Sequence, residues 1–138
     1  MKLPAALYEM NHAERSALVA LLWSSTDENG EPLDSDPYHP TPGLIARVAS
    51  DWRRFIAAAE ALGFDPFEHR ATAINSADCD ELDYAAHDFI LTRNYHGAGF
   101  WDGGWCDPWG KVLSDLAQSF EELYIEADPE TGEVSPYG

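Results

Sequence analysis

The residues of this chain that are best suited to chemistry lie between residues 87 and 102. Imidazole and carboxylate groups, which proteins use for proton transfer and for binding metal ions, occur here at close spacing. The relevant side chains are His87, Asp88, His96 and Asp102. They fit a small hydrolase or a metal-binding protein. Because they do not have the fixed spacing of a known catalytic motif, a purely structural role is the competing interpretation.

The segment that holds these residues is predicted to be an antiparallel hairpin over residues 87–102. The run 88–93 has the composition of a strand, residues 97–101 form a second strand, and residues 94–97 have turn chemistry. In such a hairpin, His96 and Asp102 would approach the first strand across the turn. In the structural interpretation, the hairpin packs its aromatic side chains into the core and the polar groups make hydrogen bonds at turns and edges.

Three helices are predicted around this hairpin. The first runs from about residue 11 to 24, with an Asn11 cap and Glu14 placed for a capping box. The second runs from Thr41 to Leu62 and ends before Gly63. The third covers about 108–120, with Asp107 as its cap.

A strand near residues 122–126, a turn at 128–132 and a short terminal strand complete the outline. The predicted fold class is therefore α+β, with a small antiparallel sheet packed against about three helices. The length of 138 residues and the lack of a long linker predict a single domain over residues 1–138.

Several motifs for cofactors and metals are absent from the sequence. Gly97 and Gly99 lack the third glycine of a dinucleotide loop, and no phosphate loop or nucleophile elbow occurs. Cys79 and Cys106 have no paired Cys-x-x-Cys spacing, and we expect both to be reduced thiols. Pro32 stands where a calcium loop starting at Asp27 needs glycine. We predict no cofactor and no bound metal.

The charge of the chain is its most unusual property. Eight Lys and Arg residues against 25 Asp and Glu residues give a formal net charge of −17. Such a chain would be repelled by nucleic acids and by anionic membrane surfaces, and it would attract a basic protein surface. Solubility alone is the alternative explanation. No apolar run approaches the roughly 20 residues of a membrane span, and no signal peptide is evident at the N-terminus, so we expect a cytoplasmic protein.

The acids are grouped into segments that are candidate partner-binding sites. The first group is Asp27, Glu28, Glu31, Asp34 and Asp36, and the second is Asp78, Asp80, Glu81 and Asp83. Six further acids lie between Glu121 and Glu133. Trp105 and Trp109 are added as possible aromatic anchors of an interface, although tryptophans at such positions often pack against the core instead.

The chain also resembles a family. The resemblance is carried by Leu22-Trp23-Ser24-Ser25-Thr26-Asp27 and by the motif Asp88-Phe89-x-Leu91-Thr92-Arg93-Asn94-x-His96-Gly97-Ala98-Gly99-Phe100-Trp101-Asp102. These segments are similar to small uncharacterised proteins encoded by bacteriophages and related mobile elements. The segment 105–109 departs from that pattern. The resemblance implies a phage protein acting in the cytoplasm of a bacterial host, and it implies no catalytic residues.

Two functional hypotheses follow. In the first, the protein is a non-catalytic DNA mimic that binds a basic, nucleic-acid-handling host protein, for example a restriction or CRISPR defence protein, and its carboxylates replace phosphates. In the second, it is a small hydrolase or metal-binding protein centred on the two histidines and two aspartates of the 87–102 segment. The net charge favours the binding hypothesis. The sequence contains no catalytic spacing that would favour the enzyme hypothesis.

Overall fold

The computed structural model describes residues 10–69, 81–96, 99–101 and 105–136 of the chain. Its elements, in chain order, are α1 (His12–Trp23), β1 (His39–Pro40), α2 (Pro42–Ala61), α3 (Glu81–Arg93), α4 (Trp109–Gln118), β2 (Ile125–Ala127) and β3 (Glu133–Pro136). This set of helices with a small sheet confirms the predicted α+β class. No helix in the described ranges is long and apolar enough to cross a membrane.

The first two helices begin and end where their capping residues predict. The Asn11 side chain accepts a hydrogen bond from the backbone N–H of Glu14 at 2.8 Å, and the Glu14 carboxylate accepts one from the Asn11 N–H at 3.1 Å. Thr41 caps α2 by accepting a hydrogen bond from the Leu44 N–H at 3.2 Å. Gly63, with φ of +99°, follows the last turn of α2 in a conformation that suits glycine. Both helix predictions are confirmed.

The prediction of a hairpin over 87–102 is wrong in its first half, because residues 81–93 form the helix α3. Nine of its residues are buried. A helix that is buried on nearly every side has no alternation of polar and apolar faces, so its apolar run resembles a buried strand. Residues 99–101 form a turn instead of a second strand, while residues 97–98 and 102–104 lie outside the described ranges.

The last helix differs from its prediction at the N-terminus. α4 follows Pro108, and no side chain caps it, so the cap predicted at Asp107 is wrong. Leu113 and Ala117 are its buried apolar residues, as expected from their helical spacing.

The sheet is mixed, with strand order β1-β3-β2. β2 and β3 form an antiparallel hairpin around the predicted turn at 128–132, so the strand near 122–126 and the terminal strand are confirmed. β1 pairs parallel with β3, with His39 opposite Glu133, and this pairing makes the predicted all-antiparallel sheet wrong. The sequence gives no indication of β1, because a two-residue strand containing a proline has no alternating pattern.

Aromatic side chains fill the centre of the core. The Phe55 ring of α2 stacks on Phe89 of α3 with ring centroids 4.4 Å apart and on Phe100 at 5.5 Å. All three side chains are buried. Large aromatic groups bury much apolar area, so this stack fixes α3 against α2 and with it the polar residues that α3 carries.

Candidate functional site

The loop between α1 and β1 is held together by hydrogen bonds between its own residues, and four of its acids are exposed. Asp27 Oδ1 accepts hydrogen bonds from the backbone N–H groups of Asn29 at 2.8 Å and Glu31 at 3.0 Å. Leu33 is 1% exposed and anchors the loop in the core, where its N–H bonds to the carbonyls of Leu22 and Ser25. The loop is therefore a folded unit attached to the core.

The hydroxyl of Tyr38 donates a hydrogen bond to Asp27 Oδ2. This hydrogen bond, helped by the backbone N–H of Glu31, lowers the pKa of Asp27 below its ordinary value. The same hydrogen bond raises the pKa of Tyr38. The hydrogen bond thus favours the ionised form of Asp27, and the tyrosine ring links the acidic loop to β1.

The end of the acidic loop meets the turn between β2 and β3. The His39 N–H donates to the Gly132 carbonyl at 2.9 Å, and the Thr41 N–H donates to the Val134 carbonyl at 2.9 Å. Gly132 has φ of +77°, and an added Cβ would stand 2.2 Å from the Pro37 carbonyl oxygen. Two acidic segments that are distant in the sequence are therefore in contact.

We call the carboxylates of residues 27–36 and 128–133 the acidic face. Its exposed members are Glu28, Glu31, Asp34, Asp36, Asp128, Glu130 and Glu133. Asp27 is half-buried beside them. The stretches 26–41 and 121–136 contain no lysine or arginine, so the field of these carboxylates is not offset by a base within either segment.

The second acidic cluster of the sequence does not form a comparable surface in the described residues. Asp78 and Asp80 lie outside the described ranges, and Glu81 is half-buried at the start of α3. Asp83 is 4% exposed and accepts a hydrogen bond from Ser16 Oγ at 2.9 Å. Asp83 therefore joins α1 to α3, a structural role.

The residues of the acid–base hypothesis are only partly brought together. His87 Nδ1 lies 3.5 Å from Asp88 Oδ1, at the limit of a hydrogen bond. The other oxygen of Asp88 accepts a hydrogen bond from the indole N–H of Trp105 at 2.7 Å, and Asp88 is 6% exposed. His96 is exposed, and the ring of Trp23 lies beside both histidines, with centroids 6.1 Å from His87 and 6.2 Å from His96.

Asp102 lies outside the described ranges. Among the described residues, no group of three or more His, Cys, Asp or Glu side chains is arranged to hold a metal ion. The acid–base hypothesis stays a prediction for His87 and His96. The hairpin that would have brought the second strand to His87 is replaced by a helix.

The tryptophans proposed as anchors differ in exposure. Trp105 is 7% exposed and packs against Phe64 and Phe100, with ring centroids 5.5 Å and 5.9 Å away. Trp109 is half-buried and stacks on His69 at 5.0 Å. Trp105 therefore has the surroundings of a core residue, and its proposed role as an exposed anchor finds no support in its burial.

Sequence reasoning missed a cluster of arginines around one buried acid. Asp51 Oδ2 accepts hydrogen bonds from Arg47 Nε and from Arg93 Nη1, both at 2.9 Å, and Asp51 Oδ1 lies 3.5 Å from Arg54 Nη1. We call Arg47, Arg54 and Arg93 the arginine cluster. Arg47 and Asp51 are four residues apart, a spacing at which helical side chains pair, whereas no local spacing indicates the contribution of Arg93. An arginine in an apolar run requires a buried partner, and that requirement was the available indication.

Arg93 is the most buried base in the described residues, at 1% exposure. Its Nε and Nη2 donate to the Glu121 carbonyl at 3.0 Å and 2.5 Å. Burial lowers the pKa of Arg93, the hydrogen bond to Asp51 raises it, and the like charges of Arg47 and Arg54 lower it further. The guanidinium is nevertheless charged, because arginine is not deprotonated in proteins.

The other ion pairs of the described residues also involve no carboxylate of the acidic face. Arg53 Nε bonds to Glu14 at 2.5 Å, and Lys111 pairs with Asp115 at 3.1 Å. Chemically, the acidic face offers many hydrogen-bond acceptors to arginine and lysine side chains, whereas the arginine cluster offers donors.

Comparison of the chain with models of protein families, with curated proteins and with solved structures finds no match.

Proposed function

We propose that the protein binds, without catalysis, a basic surface of another protein through its acidic face. The observation that carries the proposal is the contact between the α1–β1 loop and the β2–β3 turn, at the hydrogen bond from His39 to Gly132. This contact brings together two acidic segments that carry seven exposed carboxylates. A concentrated negative surface speeds the encounter with a positive partner and fixes its orientation.

The partner class follows from the chemistry of the carboxylate. Carboxylates and phosphates both accept hydrogen bonds from arginine and lysine, so a row of exposed carboxylates can occupy a groove that otherwise binds nucleic acid. The partner is therefore a nucleic-acid-handling protein. The resemblance to bacteriophage proteins makes a host defence protein, of restriction or CRISPR type, the form of this proposal that we favour.

Two variants of equal charge test the proposal. The first neutralises the exposed loop acids as Glu28→Gln, Glu31→Gln, Asp34→Asn and Asp36→Asn. The control neutralises four exposed acids elsewhere, as Glu60→Gln, Glu68→Gln, Asp107→Asn and Asp115→Asn. Both change the net charge from −17 to −13.

The measurement begins with capture of proteins from a bacterial lysate on the immobilised wild-type chain at low salt, followed by elution with duplex DNA. The association rate of a protein eluted by DNA is then measured with each variant. We expect the loop variant to associate about tenfold more slowly and the control variant to change less than about twofold. Equal slowing by both variants, or retention that DNA does not compete, would mean that the charge does not act as a phosphate mimic.

A further inference from the structure

A cavity of about 350 Å³ opens at the arginine cluster. Its walls are formed by the three arginines and Asp51 from α2 and α3, and by Ser119, Phe120 and Glu121 from the segment that follows α4. A water molecule occupies roughly 30 Å³ in the liquid, so this space is large enough for a small anion together with several waters. No residue of its lining belongs to the acidic face, and the lining is polar and cationic.

The charges around this cavity do not balance. Three guanidinium groups face one carboxylate, that of Asp51, which leaves a local charge of +2. If the exposed carboxylate of Glu121 is counted as well, the local charge is still +1. In a chain of net charge −17, this concentration of positive charge is unlike its surroundings. An anion in the cavity would relieve the mutual repulsion of the guanidinium groups.

The arginine cluster has N–H donors that are not used in hydrogen bonds to described residues. A guanidinium carries five N–H donors, and Arg47 commits only its Nε to a described residue, namely Asp51. Arg54 Nη1 is 3.5 Å from Asp51, beyond the usual range of a strong hydrogen bond. The Arg47 and Arg54 side chains are 45% and 69% exposed, so an incoming ligand can reach them.

The donors are also held in position. Arg93 is fixed by Asp51 on one side and by the Glu121 carbonyl on the other. The Phe120 ring lies under both Arg54 and Arg93, with centroid distances of 5.2 Å and 5.6 Å to the guanidinium carbons. Donors that are fixed before binding cost less entropy when a ligand binds, and the planar guanidinium matches phosphate oxygens in pairs.

We propose that the arginine cluster is a binding site for a small tetrahedral oxyanion of the phosphate type. Arg47 and Arg54 supply the accessible donors, and Arg93 supplies fixed charge at the inner wall. Free phosphate and the phosphate group of a small monoester share this chemistry. The site shares no residue with the acidic face, so the proposal does not rest on the proposed binding of a basic protein.

The test is a calorimetric titration of the full chain with inorganic phosphate at constant ionic strength. We expect saturable binding at one site. Arg54→Gln should weaken it at least about tenfold, because it removes a charged hydrogen-bond donor from the site. Lys111→Gln removes one charge from an exposed base outside the cavity and should change the affinity less than about twofold. Phenyl phosphate, titrated in parallel, distinguishes a monoester ligand from free phosphate by its tighter binding.

A second measurement covers the case in which Arg54→Gln alters the fold. Phosphate should raise the melting temperature of the wild-type chain and of Lys111→Gln, because a ligand that binds the folded state stabilises it. Arg47→Gln, at a second exposed position, should abolish most of this increase. Binding that does not saturate, or equal weakening by the cavity variants and Lys111→Gln, would overturn the proposal.

Discussion

At the scale of single residues, the acids of this protein divide into two groups with different roles. The buried carboxylates of the described residues each accept a hydrogen bond from a specific donor: Glu14 from Arg53, Asp51 from Arg93, Asp83 from Ser16 and Asp88 from Trp105. A buried carboxylate without such a donor would destabilise the fold. Seven acids of the acidic face are exposed instead, so their carboxylates are available to a partner.

The Asp27–Tyr38 pair gives a prediction at this scale. Tyr38→Phe removes the main cause of the lowered pKa of Asp27, so that pKa should rise toward its ordinary value. We would measure the carboxyl carbon titration of Asp27 by NMR in both proteins. Tyr124→Phe, at an exposed tyrosine, is the control and should leave the Asp27 titration unchanged. An unchanged Asp27 pKa in Tyr38→Phe would contradict the role given to this hydrogen bond.

The same pair predicts the pH dependence of stability. Because folding lowers the pKa of Asp27, its contribution is present above the unfolded pKa and is lost as pH falls through the folded pKa. Folding raises the pKa of Tyr38, so that contribution is present below the unfolded pKa of about 10 and is lost as pH rises through the folded value. The stability difference between wild type and Tyr38→Phe should therefore narrow in acid and in strong base.

At the scale of elements, the junction of β1 with the β2–β3 turn determines the shape of the acidic face. β1 is only two residues long, so the junction depends on a close approach of the Pro37 carbonyl to Gly132 more than on an extended ladder. Glycine is needed there for its positive φ and for its missing Cβ. The two requirements can be separated by a matched pair of substitutions.

Gly132→Ala should destabilise the protein by about 1–3 kcal/mol more than Gly30→Ala, as measured by urea unfolding. The two glycines have similar φ values, +77° and +81°, so the strain of a side chain at positive φ is common to both. An added Cβ at Gly30 meets nothing within 4 Å, whereas one at Gly132 collides with the Pro37 carbonyl. Equal costs for the two variants would show that the close approach does not contribute.

At the scale of the whole molecule, four arginines of the described residues pair with acids outside the acidic face. Arg47, Arg54 and Arg93 gather around Asp51, while Arg53 bonds to the buried Glu14. Since these pairs are made with carboxylates outside the acidic face, the excess negative charge is concentrated on the rest of the surface. A net charge of −17 on 138 residues also repels itself and opposes folding.

Added NaCl should therefore raise the melting temperature, most steeply below about 0.15 M, where the screening length falls to about 8 Å. The variant in which the four exposed loop acids are neutralised has a net charge of −13 and should show a smaller increase. Exposed ion pairs such as Lys111–Asp115 are weakened by salt, but they contribute little. A melting temperature that falls with salt would mean that attractive pairs outweigh the net repulsion. Differential scanning calorimetry makes the measurement.

The sequence alone determined the features that depend on residues close together in the chain. Asn11 and Glu14 predicted the start of α1, and Thr41, Pro42 and Gly63 predicted both ends of α2. Each of these interactions links residues at most four positions apart, so its partner can be identified without the fold. The turn between β2 and β3 was predictable for the same reason.

The tertiary structure alone decided the features that depend on distant partners. Whether 88–93 is a strand or a helix depended on burial from several sides, because an apolar run fits either form. The pair of Arg93 with Asp51 joins residues 42 positions apart, and the acidic face joins a loop at 27–36 to a turn at 128–132. The composition shows that the chain is rich in acids. The contact between the two acidic segments and the clustering of three arginines around one acid depend on how distant elements pack. No local sequence pattern encodes those contacts.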